Sequence, residues 1–78
     1  MKDLVLYIAK NLASNPDKIE VMTAETDGEL NLKLCVDPSD MGKIIGKSGR
    51  TARDIRTVLR AAAGFAGQQV NLEITENT

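Results

Sequence analysis

Apolar residues recur at one helix-face spacing near the start of the chain: Leu4, Val5, Ile8, Ala9 and Leu12. Pro16 disfavours helix at Asn15, so the pattern predicts an amphipathic helix over residues 2–14. Such a helix needs a sheet or a second helix to cover its apolar side. Residues 18–26 (KIEVMTAET) and 29–36 (ELNLKLCV) flank Asp27-Gly28, a pair suited to the positive φ angles of a tight hairpin, and predict two antiparallel strands. In the second strand Leu30, Leu32, Leu34 and Val36 alternate with Glu29, Asn31, Lys33 and Cys35, so one face is expected to be buried and the other mostly wet.

Asp37-Pro38-Ser39-Asp40 reads as a helix start: Asp37 accepts from a free backbone N–H, Pro38 suits the first turn and Asp40 complements the dipole. A short helix to about Ile45 is interrupted by glycines at 46 and 49. A longer helix follows from about Arg50 to Ala63, with Ala52, Ile55, Leu59 and Ala62 on one face, ended by Gly64 and Gly67. Gln69 to Thr75, alternating Val70, Leu72 and Ile74, predicts a third strand. The order is helix, strand, strand, helix, helix, strand. No linker, repeat or low-complexity tract divides it, and 78 residues predict a single domain spanning 1–78.

Composition narrows the chemistry. Histidine is absent and there is one tyrosine and one phenylalanine, which removes the commonest general base and metal ligand and leaves little for aromatic stacking. Neither a catalytic nor a metal site is predicted. The lone cysteine, Cys35, has no partner for an internal disulfide and reads as a small strand residue in a reducing compartment. With no apolar run of membrane-spanning length and no signal-peptide pattern at the N-terminus, a cytoplasmic location without membrane attachment is expected.

The formal net charge of −1 argues by itself against a polyanionic ligand, but the distribution reverses the inference. Residues 41–60 hold Lys43, Lys47, Arg50, Arg53, Arg56 and Arg60 against Asp54 alone, a local +5, while four bases and ten acids elsewhere make −6. The basic stretch surrounds Gly46-Lys47-Ser48-Gly49. A G-x-x-G pair between two helices lets the backbone approach a ligand, and the following helix points its unpaired N–H groups and positive dipole end at the loop. Lys47 and Arg50 add donors suited to phosphate oxygens. The bland alternative is a helix-to-helix turn that uses glycine only for its backbone angles.

On a helical wheel Arg50, Arg53, Arg56 and Arg60 fall within about a third of a turn, beside the apolar side through Ile55 and Leu59. Arg50 and Arg53 are the stronger ligand candidates, whereas Arg56 and Arg60 fit a solvated face equally well. Of Ile44 and Ile45, one is expected in the core and the other beside a groove. Two nucleotide-binding motifs fail on spacing. Walker A needs its first glycine where the chain has Met41, and Gly42, Gly46 and Gly49 are spaced G-x-x-x-G-x-x-G, not G-x-G-x-x-G.

The stretch Met41-Gly42-Lys43-Ile44-Ile45-Gly46-Lys47-Ser48-Gly49-Arg50 resembles the KH-domain signature, in which an I-G-x-x-G core joins two helices. The block GKIIGKSGRTARDIRTVLRAAA is similar to the bacterial single-KH proteins of the KhpA family, and the similarity spans essentially the whole chain. It implies an α+β, type II KH domain: a three-stranded sheet packed against three helices in the order α-β-β-α-α-β. It further implies that single-stranded RNA, about four nucleotides of it, lies in a groove. Gly46, Lys47, Ser48 and Gly49 would clamp the backbone there, bordered by Ile45, Arg50 and Arg53, with Lys43 as a further RNA-facing candidate. KH domains usually carry Ile where this chain has Ala52, a departure that bears on the depth of the base pocket and not on the clamp. The resemblance implies a weakly selective RNA chaperone or post-transcriptional regulator, acting as a homodimer or with a larger KhpB-type KH partner. The small-sided Ala61–Gly67 segment is a candidate contact for it.

No cofactor and no small-molecule substrate are implied. The competing reading, from another class, is a protein-interaction adaptor that uses the fold without RNA. Salt separates the two, because phosphate contacts weaken steeply as salt rises and an apolar interface does not.

Overall fold

A computed structural model describes residues 1–77. Its sheet begins with the predicted hairpin, β1 (Glu20–Thr26) and β2 (Glu29–Val36), joined by Asp27 and Gly28 at φ 52° and 78°. Two successive positive φ angles match the twist of a two-residue hairpin and fix the register at Thr26 opposite Glu29. The third strand, β3 (Gln69–Glu76), lies parallel to β2 on its other side, so the sheet order is β1-β2-β3. A parallel neighbour requires a crossover. Here the crossover consists of α2 (Met41–Ile45), the turn at Lys47–Gly49 and α3 (Arg50–Phe65). The leading helix, α1 (Lys2–Leu12), joins them on the same sheet face.

The core lies between that face and the helices. Leu32, Leu34 and Val36 of central β2 meet Val5 and Ala9 of α1, Ile44 of α2, and Ile55, Leu59 and Ala63 of α3. Each fully buried Leu or Ile side chain contributes about 2 kcal/mol through apolar area removed from water. The element order is the one the residue pattern predicts, and three helices on one side of a three-stranded sheet is the α+β architecture the resemblance implies; the sheet is mixed.

Several boundaries differ for local reasons. Helix α1 ends at Leu12 and not at Ser14, because a distant carboxylate takes the backbone N–H groups of Ser14 and Asn15. Strand β1 starts at Glu20 because Pro16–Lys18 forms a 3₁₀ turn, and β3 extends one residue past Thr75. Gly64 lies inside α3, which runs to Phe65 and is terminated by Gly67 (φ 67°) just past its cap. There Gly67 N–H donates to Gly64 and Gln68 N–H to Ala63, closing a Schellman motif. Four residues beyond Leu59, Ala63 is the buried alanine, and Ala62 is only half-buried. Cys35, expected on the wet face, is 5% exposed, flanked in register by Glu20 and Thr75 of the two neighbouring strands. A central strand is shielded on both sides, and alternation alone does not reveal that.

Candidate functional site

The predicted turn sits where α2 hands over to α3. At Gly46 the backbone adopts φ 77°, ψ 174°, a region essentially closed to residues with a side chain. A Cβ there would also collide with Thr51, reaching its Cβ at 2.6 Å and its backbone N at 2.9 Å. Gly49 lies in the left-handed region (φ 73°, ψ 12°) with open space around it, and Ser48 shares that region at φ 58°, ψ 28°. Gly49 N–H closes the turn onto the Gly46 carbonyl at 3.2 Å. No side chain caps the first turn of the 16-residue α3, so its leading N–H groups face the turn. Lys47, Ser48, Arg50 and Thr51 line a hollow of about 330 Å³ at this point. Lys47, Ser48 and Arg50 are all exposed, as is Arg53 one turn along. The geometry is a bare, positively polarised backbone surface with exposed cations around it, suited to an extended polyanion.

The remaining predicted residues divide. Ile44 is fully buried in the core and Ile45 is half-buried at the end of α2, beside Gly46. Lys43 points elsewhere: its Nζ donates to Ser14 Oγ and lies 4.0 Å from Asp40 Oδ1. It faces the α1 end of the molecule and is partly neutralised. Arg56 is half-buried, and its Nε donates to the Leu72 carbonyl of β3 at 3.4 Å. With Arg60, Leu59, Val70 and Leu72 it lines a small cleft between α3 and β3, about 90 Å³ in volume.

In the sequence Asp40 shows only as a dipole complement, yet it holds this region together. Its carboxylate, 1% exposed, accepts from Ser14 N at 3.0 Å and from Asn15 N at 2.9 Å, with Asn15 Nδ2 at 3.4 Å. The Ser14 N–H first, and then the Asn15 groups and Lys43, hold the carboxyl below its ordinary value of 3.8 against the opposing effect of burial. The tether fixes the start of α2, and so the turn, to the end of α1. An acid beside a helix-starting proline carries no sign of partners 25 residues away.

Helix α3 thus has three sides: Ala52, Ile55, Leu59 and Ala63 in the core; the four arginines; and a third with Val58 (47% exposed), Ala61, Ala62 and Phe65 (97% exposed). Among the described residues no helix is long and apolar enough to cross a membrane, and no cluster of three or more His, Cys, Asp or Glu side chains is placed to hold a metal ion.

A mixed sheet crossed by helix, G-x-x-G turn and helix, with a further helix and strand in front, defines a type II KH domain. The model of the KhpA/KhpB KH domain matches residues 2–74, and the chain belongs to that family. It is similar to the RNA-binding protein KhpA of Aquifex aeolicus, 45% identical over 76 residues, 97% of this chain and 96% of the relative. It is also similar to the proteins of the same name from Bacillus subtilis (45% over 74 residues, 95% and 91% of the two chains) and Clostridium acetobutylicum (46% over 74 residues, 95% and 99%). Among solved structures it resembles Era in complex with MgGDPNP and nucleotides 1506–1542 of 16S ribosomal RNA, with TM-score 0.57 and 26% identity over 96% of this chain. The chain spans 29% of Era's length.

Proposed function

We propose that this protein binds short single-stranded RNA, with the sugar-phosphate backbone against the Gly46–Gly49 turn and the bases along α3. The observation that carries the reading is the turn itself: Gly46 and Gly49 bare the backbone at the uncapped start of a 16-residue helix. In this reading Lys47, Ser48 and the leading N–H groups of α3 hold phosphate oxygens. Arg50 and Arg53 extend the positive track, Ile45 supplies apolar surface for a base, and Lys43 contributes only long-range charge. Relatives named RNA-binding protein KhpA, and the RNA in the Era complex, support the ligand class. The reading requires no catalytic group, cofactor, metal ion or small-molecule substrate.

A turn that holds about four nucleotides binds weakly, and joining two such sites raises avidity through effective concentration. We therefore propose that the chain, acting as one KH domain in the cytoplasm, pairs with a second copy or with a KhpB-type protein. The pairing side is the third side of α3, around Phe65, and the work done is that of an RNA chaperone or post-transcriptional regulator. The nearly full exposure of Phe65 beside Val58 and small alanines favours that side, which leaves the arginines free.

The test is the double variant Lys47→Asp with Ser48→Asp. Two carboxylates at the helix start repel phosphate, so RNA affinity is expected to fall at least about tenfold, or ~1.4 kcal/mol, with the circular dichroism spectrum and Tm retained. Unchanged affinity in the folded variant contradicts the reading.

A further inference from the structure

The two edges of the sheet are guarded differently. At β3, Arg56 reaches over and donates to the Leu72 carbonyl. At β1, among the described residues, no hydrogen bond from outside the sheet reaches the backbone of Glu20–Thr26. Strand β1 is seven residues long, in unbroken register with β2, and contains no proline. Exposed edges are ordinarily blunted by proline, bulges or lysines on the strand, because alternate residues offer N–H and C=O groups to any passing strand. This edge carries none of the three, and its charged residues are Glu20 and Glu25.

Beside it runs a groove of about 360 Å³ lined by Lys2, Leu6 and Lys10 of α1 and by Glu20, Val21 and Met22 of β1. Lys2, Leu6 and Lys10 are spaced by four, which stacks them along one helix stripe with the ammonium-bearing residues about 12 Å apart. Neither lysine has an ion-pair partner among the described residues, where the one salt bridge joins Lys43 and Asp40. In an extended strand, residues i, i+2 and i+4 share a face and the outer two lie about 13 Å apart. Where such a strand runs alongside α1, acid, apolar residue and acid at those positions match lysine, leucine and lysine in sign and in spacing.

We propose that the groove between α1 and the free edge of β1 is a docking site for an extended acidic–apolar segment of another protein, which adds to the sheet as a fourth strand. The main-chain ladder supplies the binding, and the two lysines with Leu6 select the acid-x-apolar-x-acid pattern. A second copy of this chain fits poorly. Glu20 and Glu25 are five residues apart and point to opposite faces of β1, and Glu73 and Glu76 of β3, three apart, do the same. RNA fits poorly too, with only two separated cations and no strand to contribute; Glu20 at the rim opposes any anion, so the segment's acids are placed at the lysines and not at the strand.

The test is titration of the full chain with the peptide Ser-Glu-Val-Leu-Val-Glu-Ser, acetylated and amidated, followed by amide resonances. Saturable shifts are expected in residues 20–26 and along Lys2–Lys10, with the Gly46–Gly49 turn unmoved. Affinity should fall about tenfold in the Lys2→Glu, Lys10→Glu double variant and return when that variant meets Ser-Lys-Val-Leu-Val-Lys-Ser. N-methylation of alternate peptide residues should abolish binding at unchanged charge. The proposal is overturned by absent saturation, by shifts centred on the Gly46–Gly49 turn, or by binding indifferent to charge exchange or N-methylation. It is equally overturned if β1 shifts appear with protein concentration alone, which would make a second copy the occupant.

Discussion

Gly46 and Gly49 are glycine for different reasons, and substitution separates them. At Gly49 an added Cβ meets nothing within 4 Å, so Gly49→Ala is expected to cost only left-handed strain, about 1 kcal/mol by chemical denaturation. At Gly46 the same change adds a collision with Thr51 to a conformation only glycine favours, and a loss of about 2–4 kcal/mol is expected. Equal losses would contradict the geometry. Asp40 makes a prediction against pH. Its folded carboxyl releases its proton more readily than the unfolded one, so the tether stabilises the fold at every pH above the ordinary value of 3.8. That stabilisation disappears as pH falls through the lower folded value. Asp40→Asn leaves one acceptor where two N–H groups converge and is expected to lower Tm at neutral pH. The gap to the parent should close in acid below that value, as Tm measured across pH will show.

At the scale of elements, what could be read in the sequence was what local chemistry dictates. Asp27-Gly28 announces its hairpin because it is one of the few pairs that readily supply two positive φ angles, and the leucines of β2 declare their buried face. The G-x-x-G turn was legible for the same reason. The tether from Asp40 to Ser14 and Asn15 was not, nor was the diversion of Lys43 toward it, because both depend on folding bringing distant residues together. The pattern puts Cys35 on the wet face and Ala62 in the core, and the structure differs at both because burial depends on neighbouring elements as well as on periodicity. The arginine side of α3 also yields a graded expectation. Arg50→Gln and Arg53→Gln should each reduce the salt slope of RNA binding by roughly 0.7, one phosphate contact on a single strand. Lys43→Gln, its ammonium engaged by Ser14 and Asp40, should leave the slope nearly unchanged.

The whole molecule separates its charge, +5 over residues 41–60 against −6 elsewhere, so a chain of net −1 still presents one attractive side to a polyanion. The proposed pairing side, Val58, Ala62 and Phe65, lies round the helix from Arg53, Arg56 and Arg60, with Arg50 and Asp54 at its border, so the proposal has pairing and RNA binding occur together. Phe65→Glu is expected to abolish association in light scattering across a concentration series, while a monovalent RNA fragment binds each chain as before. Association that persists in that variant would place the pairing surface elsewhere.

The most direct test of the central claim is titration of the labelled chain with a short single-stranded RNA, read at every backbone amide. The account predicts saturable, salt-sensitive shifts concentrated in Gly46–Gly49 and the first turns of α3, with β1 silent. Shifts that leave that turn unmoved while others saturate would contradict it.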